Sequence, residues 1–322
     1  MAKPELPEEI LIDVFSRLPA KSVGKCRCLS KQWCTLLSTP QFIKSHLNRK
    51  THQENLILIT PSDSLYTIAT IKDDTVSRKL ELPSNWLEQV KIPDSPLALE
   101  WGESFSMHGF GYDIYTDDYK IVTLSYYATK KEHEPDCEKK FVDVYSVKKR
   151  VWKRVESSRY DHAVPELSSG AFVNGAIHWL ASGRESGHPS VIVAFNFANE
   201  VFDEIPAPND ADVGKFVFNK LGVLGGRLCM IDARSQDVWI MEEYGVKDSW
   251  TKFSIEVDYD LGISKPFCFI GDEEAVFGTE EDRLIVYNVK EGALRGMVVD
   301  GAPAEFADGG AFVGSLVLPA LN

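Results

Sequence analysis

The 322 residues predict an all-β propeller of about five to six blades behind a small all-α module. Two observations carry that prediction. Apolar residues recur with a helical period near the start of the chain and in short β-rich runs after residue 54. Throughout the β-rich region a single strand–turn–strand grammar returns, its aromatic anchors Tyr145, Phe195, Trp239 and Tyr287 standing 50, 44 and 48 residues apart. Four-stranded repeats of this length suit propeller blades, because one sheet cannot bury both of its faces without neighbours.

The helical module is placed at residues 1–50 and the β body at 51–322. Leu6, Ile10, Leu11, Val14, Phe15 and Leu18 mark an apolar helix face. Pro7 suits a first helical position, Glu8 and Glu9 favour the positive start of the helix dipole, and Arg17 favours its end. Pro19 stops it. A second helix is expected over Ser22–Cys28. A third follows a Ser30 cap and presents Trp33, Leu36 and Leu37; a fourth follows Thr39, with Pro40 in its first turn. A domain this small has few core positions and leaves apolar groups uncovered, which usually signals a partner.

In the body, Val142–Tyr145 leads through Lys148–Arg150 into Val151–Val155. Ile192–Phe195 with Val201-Phe202, Val238–Ile240 with Trp250–Phe253, and Leu284–Tyr287 with Leu294 repeat the pattern. Tighter hairpins precede two of these, turning at Asn174-Gly175 and Gly225-Gly226. Four blades are therefore expected to start at 108, 166, 216 and 266. A fifth is expected from pairing Ala311–Leu318 with Leu56–Ile71, which would protect both sheet edges. Residues 76–107 either form a degenerate sixth blade or replace a lost one.

Charge excludes some functions. The net charge is −13, yet residues 1–50 hold nine Lys/Arg against four Asp/Glu, leaving 26 against 44 in the rest. An acidic body repels phosphate backbones, so no nucleic-acid partner is expected. No apolar run reaches the ~18 residues of a membrane helix, so no membrane insertion is expected. Six scattered cysteines, and opening residues without a basic-then-apolar pattern, point to reduced thiols in cytoplasm and/or nucleus.

The search for chemistry returns structural readings. Gly109-x-Gly111 lacks a third glycine and a strand–helix setting, and neither a P-loop nor a Gly-x-Ser-x-Gly elbow occurs. Cys26, Cys28 and Cys34 lack zinc spacing. His178, inside an apolar strand, reads as a satisfied core histidine. Asp117-Asp118 and Glu280–Asp282 read as solvated turn carboxylates, and Trp152, Trp179 and Trp250, in phase with the repeats, as core. No catalytic residue, cofactor or metal is expected.

Two resemblances sharpen the reading. Leu6–Leu11, Arg17–Val23, Cys26–Trp33 and Pro40–Phe42 together resemble a plant F-box, with Gly24 where members usually carry leucine. Phe110–Asp113 with Asp117–Val122, then Phe172–Leu180, then Val238–Trp250 are similar to stretches of plant F-box-associated interaction domains. These resemblances imply a kelch-like propeller that receives a protein substrate. They also imply a head that docks the Skp-type adaptor and, through it, the cullin of an SCF ubiquitin ligase. The implied adaptor-contacting or supporting residues are Leu6, Pro7, Ile10, Val14, Leu18, Pro19, Val23 and Trp33.

Antiparallel strands send alternate connections to opposite ends of a sheet. Sorted so, the longer connections, such as Ala128–Lys140, Glu156–Leu167, Ser182–Ser190 and Pro206–Lys215, share one end, while tight turns hold the other. Long loops on a rigid scaffold often carry recognition, which nominates His133, Tyr160, His162, Arg184, His188 and Tyr259 as substrate contacts. Two alternatives stay open: an adaptor-binding scaffold without ubiquitin transfer, and a propeller hydrolase or lectin-like domain with an unrelated helical head.

Overall fold

Pro7, Pro19 and Ser30 divide the head into three helices: α1 (Glu8–Arg17), α2 (Ala20–Arg27) and α3 (Lys31–Leu37). In this computed structural model the described residues are 7–39, 41–43, 45–46, 55–60, 64–69, 76–80, 104–127, 139–162, 169–182, 191–208, 219–232, 234–256, 262–271, 273–303, 305–306 and 308–312. They fall into two compact units, one of residues 1–80, 267–276 and 282–322, the other of 81–266 and 277–281. Helical turns at 41–43 and 45–46 stand where the fourth helix was expected.

Five sheets are present among the described residues. The first holds β1 (Asn55–Ile59), β2 (Leu65–Ala69) and β3 (Val76–Lys79). The second runs in order through β4 (Ser104–Asp113), β5 (Asp118–Tyr127), β6 (Lys139–Ser146) and β7 (Val151–Val155). The third contains β8 (Asp161–His162), β9 (Ala171–Val173), β10 (Ala176–Ser182), β11 (Val191–Asn196) and β12 (Val201–Ile205). The fourth is β13 (Asn219–Leu224), β14 (Arg227–Asp232), β15 (Asp237–Met241) and β16 (Trp250–Ser254). The fifth is β17 (Ile263–Ile270), β18 (Glu274–Thr279), β19 (Leu284–Asn288) and β20 (Ala293–Gly296). Finally β21 (Asp308–Phe312) returns to pair antiparallel with β1, Leu56 opposite Ala311.

A C-terminal strand does pair with β1, but over Asp308–Phe312; of the expected Ala311–Leu318, residues 313–318 lie outside the described residues. Val76–Lys79 belongs to the first sheet, which removes the start of the 76–107 stretch from any sixth blade. Residues 81–103 lie outside the described residues.

In the second unit, inner strands are apolar on both faces because each face meets a different neighbour. On β10, Ile177, Trp179 and Ala181 join a core with Val122, Leu124 and Val144 of the second sheet. The intervening Ala176 and Leu180 join Leu228, Met230 and Trp239 of the fourth. Period-2 alternation thus feeds two cores from one strand. In the first unit, Leu56, Leu58 and Ile68 pack with Phe267, Cys268, Val276 and Val286.

The aromatic repeat has a structural cause. Tyr145, Phe195 and Tyr287 sit at one register position, opposite Trp152, Phe202 and Leu294 across four-residue turns. Each turn ends in a left-handed residue: Arg150 at φ 54°, Glu200 at 58° and Gly292 at 67°. Ser146, Asn196 and Asn288 start these turns by accepting backbone N–H bonds from Lys149, Ala198 and Lys290 at 2.8–3.0 Å.

Candidate functional site

Helix α1 carries two apolar faces. Its Leu11, Ile12 and Phe15 point inward, joining a core of Val23, Leu37 and Phe42 that Leu18, Ala20, Cys26, Trp33 and Ile43 surround. Phe15 and Trp33 meet edge to face with centroids 5.0 Å apart. On its other side, Ile10 and Val14 are each 48% exposed, one helical turn apart, with exposed Pro7 continuing the stripe. Leu29, in the turn before α3, is 70% exposed.

The local sequence fixes this geometry. The Pro7 carbonyl accepts the N–H groups of Ile10 and Leu11, and that of Pro19 accepts those of Ser22 and Val23, so each proline opens a helix. The Ser30 hydroxyl accepts Trp33 N–H at 3.1 Å and caps α3. The Arg27 guanidinium donates to the Leu37 carbonyl at 2.7 and 3.2 Å, bracing the far end of α3. His46 Nε2 lies 2.8 Å from the Leu18 carbonyl. Covering Ile10, Val14 and Leu29 would return roughly 1 kcal/mol or more per side chain.

The sequence-nominated head residues divide accordingly. Pro7, Ile10, Val14 and Pro19 are exposed; Leu18 and Trp33 are partly covered by the core. Val23 is fully buried, so it can only support the surface, not touch a partner. Leu6 lies outside the described residues. Leu29 was not nominated, although it lies within the Cys26–Trp33 stretch of the resemblance and immediately before the Ser30 cap.

The nominated substrate contacts fare differently. His133, Arg184, His188 and Tyr259 lie outside the described residues, and of His162 only its strand pairing with Ala181 is described. Tyr160 is corrected. It is buried in the core of the second and third sheets, its hydroxyl donating to Glu204 at 2.7 Å and accepting from Arg159 at 2.5 Å. An apolar ring with an internally satisfied hydroxyl is a core element, whatever the length of the connection bearing it.

The connection lengths also need amendment. The eight-residue link 242–249, at the tight-turn end, is long and ordered: Ser249 Oγ accepts Glu243 N–H at 3.1 Å and lies 2.8 Å from the carbonyls of Glu243 and Val246. At the other end, 233–236 and 280–283 are short. His178 is the satisfied core residue expected, its ring bonded to the Ala171 carbonyl and the Tyr244 hydroxyl. No group of three or more His, Cys, Asp or Glu able to hold a metal occurs among the described residues. No helix among them is long and apolar enough to cross a membrane.

Comparison with known families joins head and body. The F-box domain model matches residues 4–45, and the F-box associated beta propeller domain model matches 72–313. The chain belongs to the F-box-associated β-propeller family. It is an F-box protein whose short helical head precedes a five-blade propeller. The F-box protein CPR1 of Arabidopsis thaliana is 29% identical over 94% of this chain and 86% of its own length. The Arabidopsis F-box/kelch-repeat protein At3g23880 is 27% identical over 77% of this chain and 78% of its own length. Among solved structures, prolyl oligopeptidase B from Galerina marginata aligns with a TM-score of 0.41 and 10% identity over 84% of this chain, which spans 42% of that protein. A likeness that distant carries no argument.

Proposed function

We propose that this F-box protein is the substrate-receptor subunit of an SCF-type ubiquitin ligase, acting in cytoplasm and/or nucleus. The head docks a Skp-type adaptor and through it a cullin, and the propeller holds a protein substrate. The role is non-catalytic: it raises the effective concentration of substrate lysines beside a charged ubiquitin carrier. The observation that carries this reading is the outer stripe of α1, where Ile10 and Val14 stay half exposed while the inner face is fully used by the head's own core.

The test replaces both with charge, Ile10→Asp with Val14→Asp, and follows co-purification of a Skp-type adaptor. Wild-type chain should retain the adaptor and the variant should lose it by about 100-fold or more, since central apolar contacts dominate such interfaces. Retention by a folded variant overturns the docking site. Adaptor binding without ubiquitin transfer to any captured protein would replace this reading with that of a scaffold.

A further inference from the structure

Charge in the head is segregated along the chain. Residues 14–53 hold eight Lys or Arg and not one Asp or Glu. Arg17 and Arg27 are engaged inside the fold, by Asp13 and by the Leu37 carbonyl. Lys21, Lys25 and Lys31 are exposed and make no ion pair among the described residues. Glu8 and Glu9 do not answer them. Both stand in the first turn of α1, at the end remote from Pro19, and neither pairs with these lysines.

The placement of the three lysines costs the helices stability. Lys21 and Lys25 repel one another at i, i+4 on α2. Lys21 stands in the first turn of α2 and Lys31 in that of α3, where the helix dipole disfavours a cation and neither helix offers an acidic neighbour. Local rules broken together without an internal partner mark a surface kept for function. Lys21, Lys25 and Cys28 follow at i, i+4 and i+7 along the exposed side of α2, while Ala20, Val23 and Cys26 turn into the core. Leu29, 70% exposed, comes directly after that stripe, and Lys31 follows two residues later. The basic strip thus runs into an apolar side chain that a docked partner would cover.

Beyond residue 50 the chain carries 26 Lys/Arg against 44 Asp/Glu, which repels an extended phosphate polymer. A compact acidic patch on a protein has to meet only the head, because screening confines the interaction to about 8 Å at physiological salt. We infer that Lys21, Lys25 and Lys31 form the charged margin of the adaptor-docking surface, meeting carboxylates of a Skp-type adaptor that steer its approach before Ile10, Val14 and Leu29 are covered. The inference rests on the substrate-receptor reading. It adds the charge of the partner's surface and the step of binding which that charge governs.

The experiment follows a purified Skp-type adaptor associating with and leaving the immobilised full-length chain, at about 50 and about 500 mM salt. Wild-type association should slow about tenfold between the two, with dissociation changed about twofold or less. Lys21→Glu with Lys25→Glu and Lys31→Glu should associate about tenfold slower than wild type at low salt and nearly as fast at high salt. The corresponding triple substitution to Gln should fall between them. All three side chains are exposed, and convergence of the rates at high salt establishes that the variant heads are folded. Association indifferent to salt and charge, or an effect confined to dissociation, overturns the inference and leaves docking in place. Tighter capture of a short single-stranded DNA than of the adaptor, lost in the Glu variant, also overturns it. Absence of wild-type adaptor binding at both salts overturns the substrate-receptor reading and the inference with it, an outcome distinct from charge-indifferent binding.

Discussion

His178 and Tyr244, 66 residues apart in sequence, are joined by a 2.8 Å hydrogen bond from the tyrosine hydroxyl to the histidine Nε2. The ring's Nδ1–H donates to the Ala171 carbonyl at 2.9 Å, so one neutral tautomer satisfies both contacts. The bond ties an inner strand of the third sheet to the long 242–249 connection of the fourth.

Burial pulls the His178 pKa from its ordinary 6.5 down to about 4. A depressed folded-state value means that the unfolded chain takes up the proton first. Stability from this site is complete above pH 6.5 and is lost as pH falls toward 4, by up to about 3 kcal/mol. Urea unfolding of wild type and His178→Gln at pH 7 and pH 4.5 should show a steeper loss in wild type. Equal losses would remove His178 as the cause. Tyr244→Phe, which leaves Nε2 without its donor, should cost about 1–3 kcal/mol at pH 7.

Lys120 and Asp113 form a 2.8 Å ion pair across the β4–β5 hairpin, with side chains 10% and 2% exposed. Against the upward pull of burial, hydrogen bonds from Lys120 and Thr116 lower the Asp113 pKa. Lys120→Met leaves that buried carboxylate without its counter-charge and should destabilise by about 3 kcal/mol. Adding Asp113→Asn should recover some of the loss, so a double-mutant cycle measures the coupling. Strict additivity would deny the pair.

Gly24 sits inside α2, where an added Cβ would meet nothing within 4 Å. Gly24→Ala should therefore stabilise the helix by about 0.5–1 kcal/mol. Amide exchange over residues 20–27 is expected to slow about threefold with adaptor capture intact. Faster exchange would mean that the glycine serves a purpose beyond helix formation.

Two neighbouring glycines of β21 should behave oppositely. A Cβ on Gly309 would lie 2.7 Å from the Ile57 carbonyl and 3.0 Å from Leu58 and Phe267, whereas one on Gly310 meets nothing within 4 Å. Gly309→Ala is expected to destabilise by about 1–3 kcal/mol and Gly310→Ala to have little effect. Equal melting temperatures would place the contact between β1 and β21 elsewhere.

The repeat was legible in the sequence because its causes are local. Aromatic anchors such as Tyr145 and Tyr287 fall just before a turn-forming position, and register follows from turn length. The motif Phe110–Asp113 with Asp117–Val122 also has a local reading: Asp113 and Lys120 pair across the hairpin, and Gly109 and Gly111 admit Ile177 and Phe172 of the next sheet. Tyr160 was misread because connection length says nothing about which ring a loop turns inward. Leu29 and the burial of Val23 depend on how three helices pack, which periodicity within one helix does not encode. The joining of the 114–117 and 147–150 turns arises only when two hairpins, separated in sequence, come into register.

The pairing of β1 with β21 also sets a timetable. Roughly 250 residues separate the two strands, and a ribosome needs on the order of tens of seconds to supply them. Throughout that interval one edge of β1 has no partner, while the head's helices, whose core is drawn from residues 11–43, can already be complete. The nascent chain thus presents the exposed Ile10 and Val14 stripe before its propeller can close.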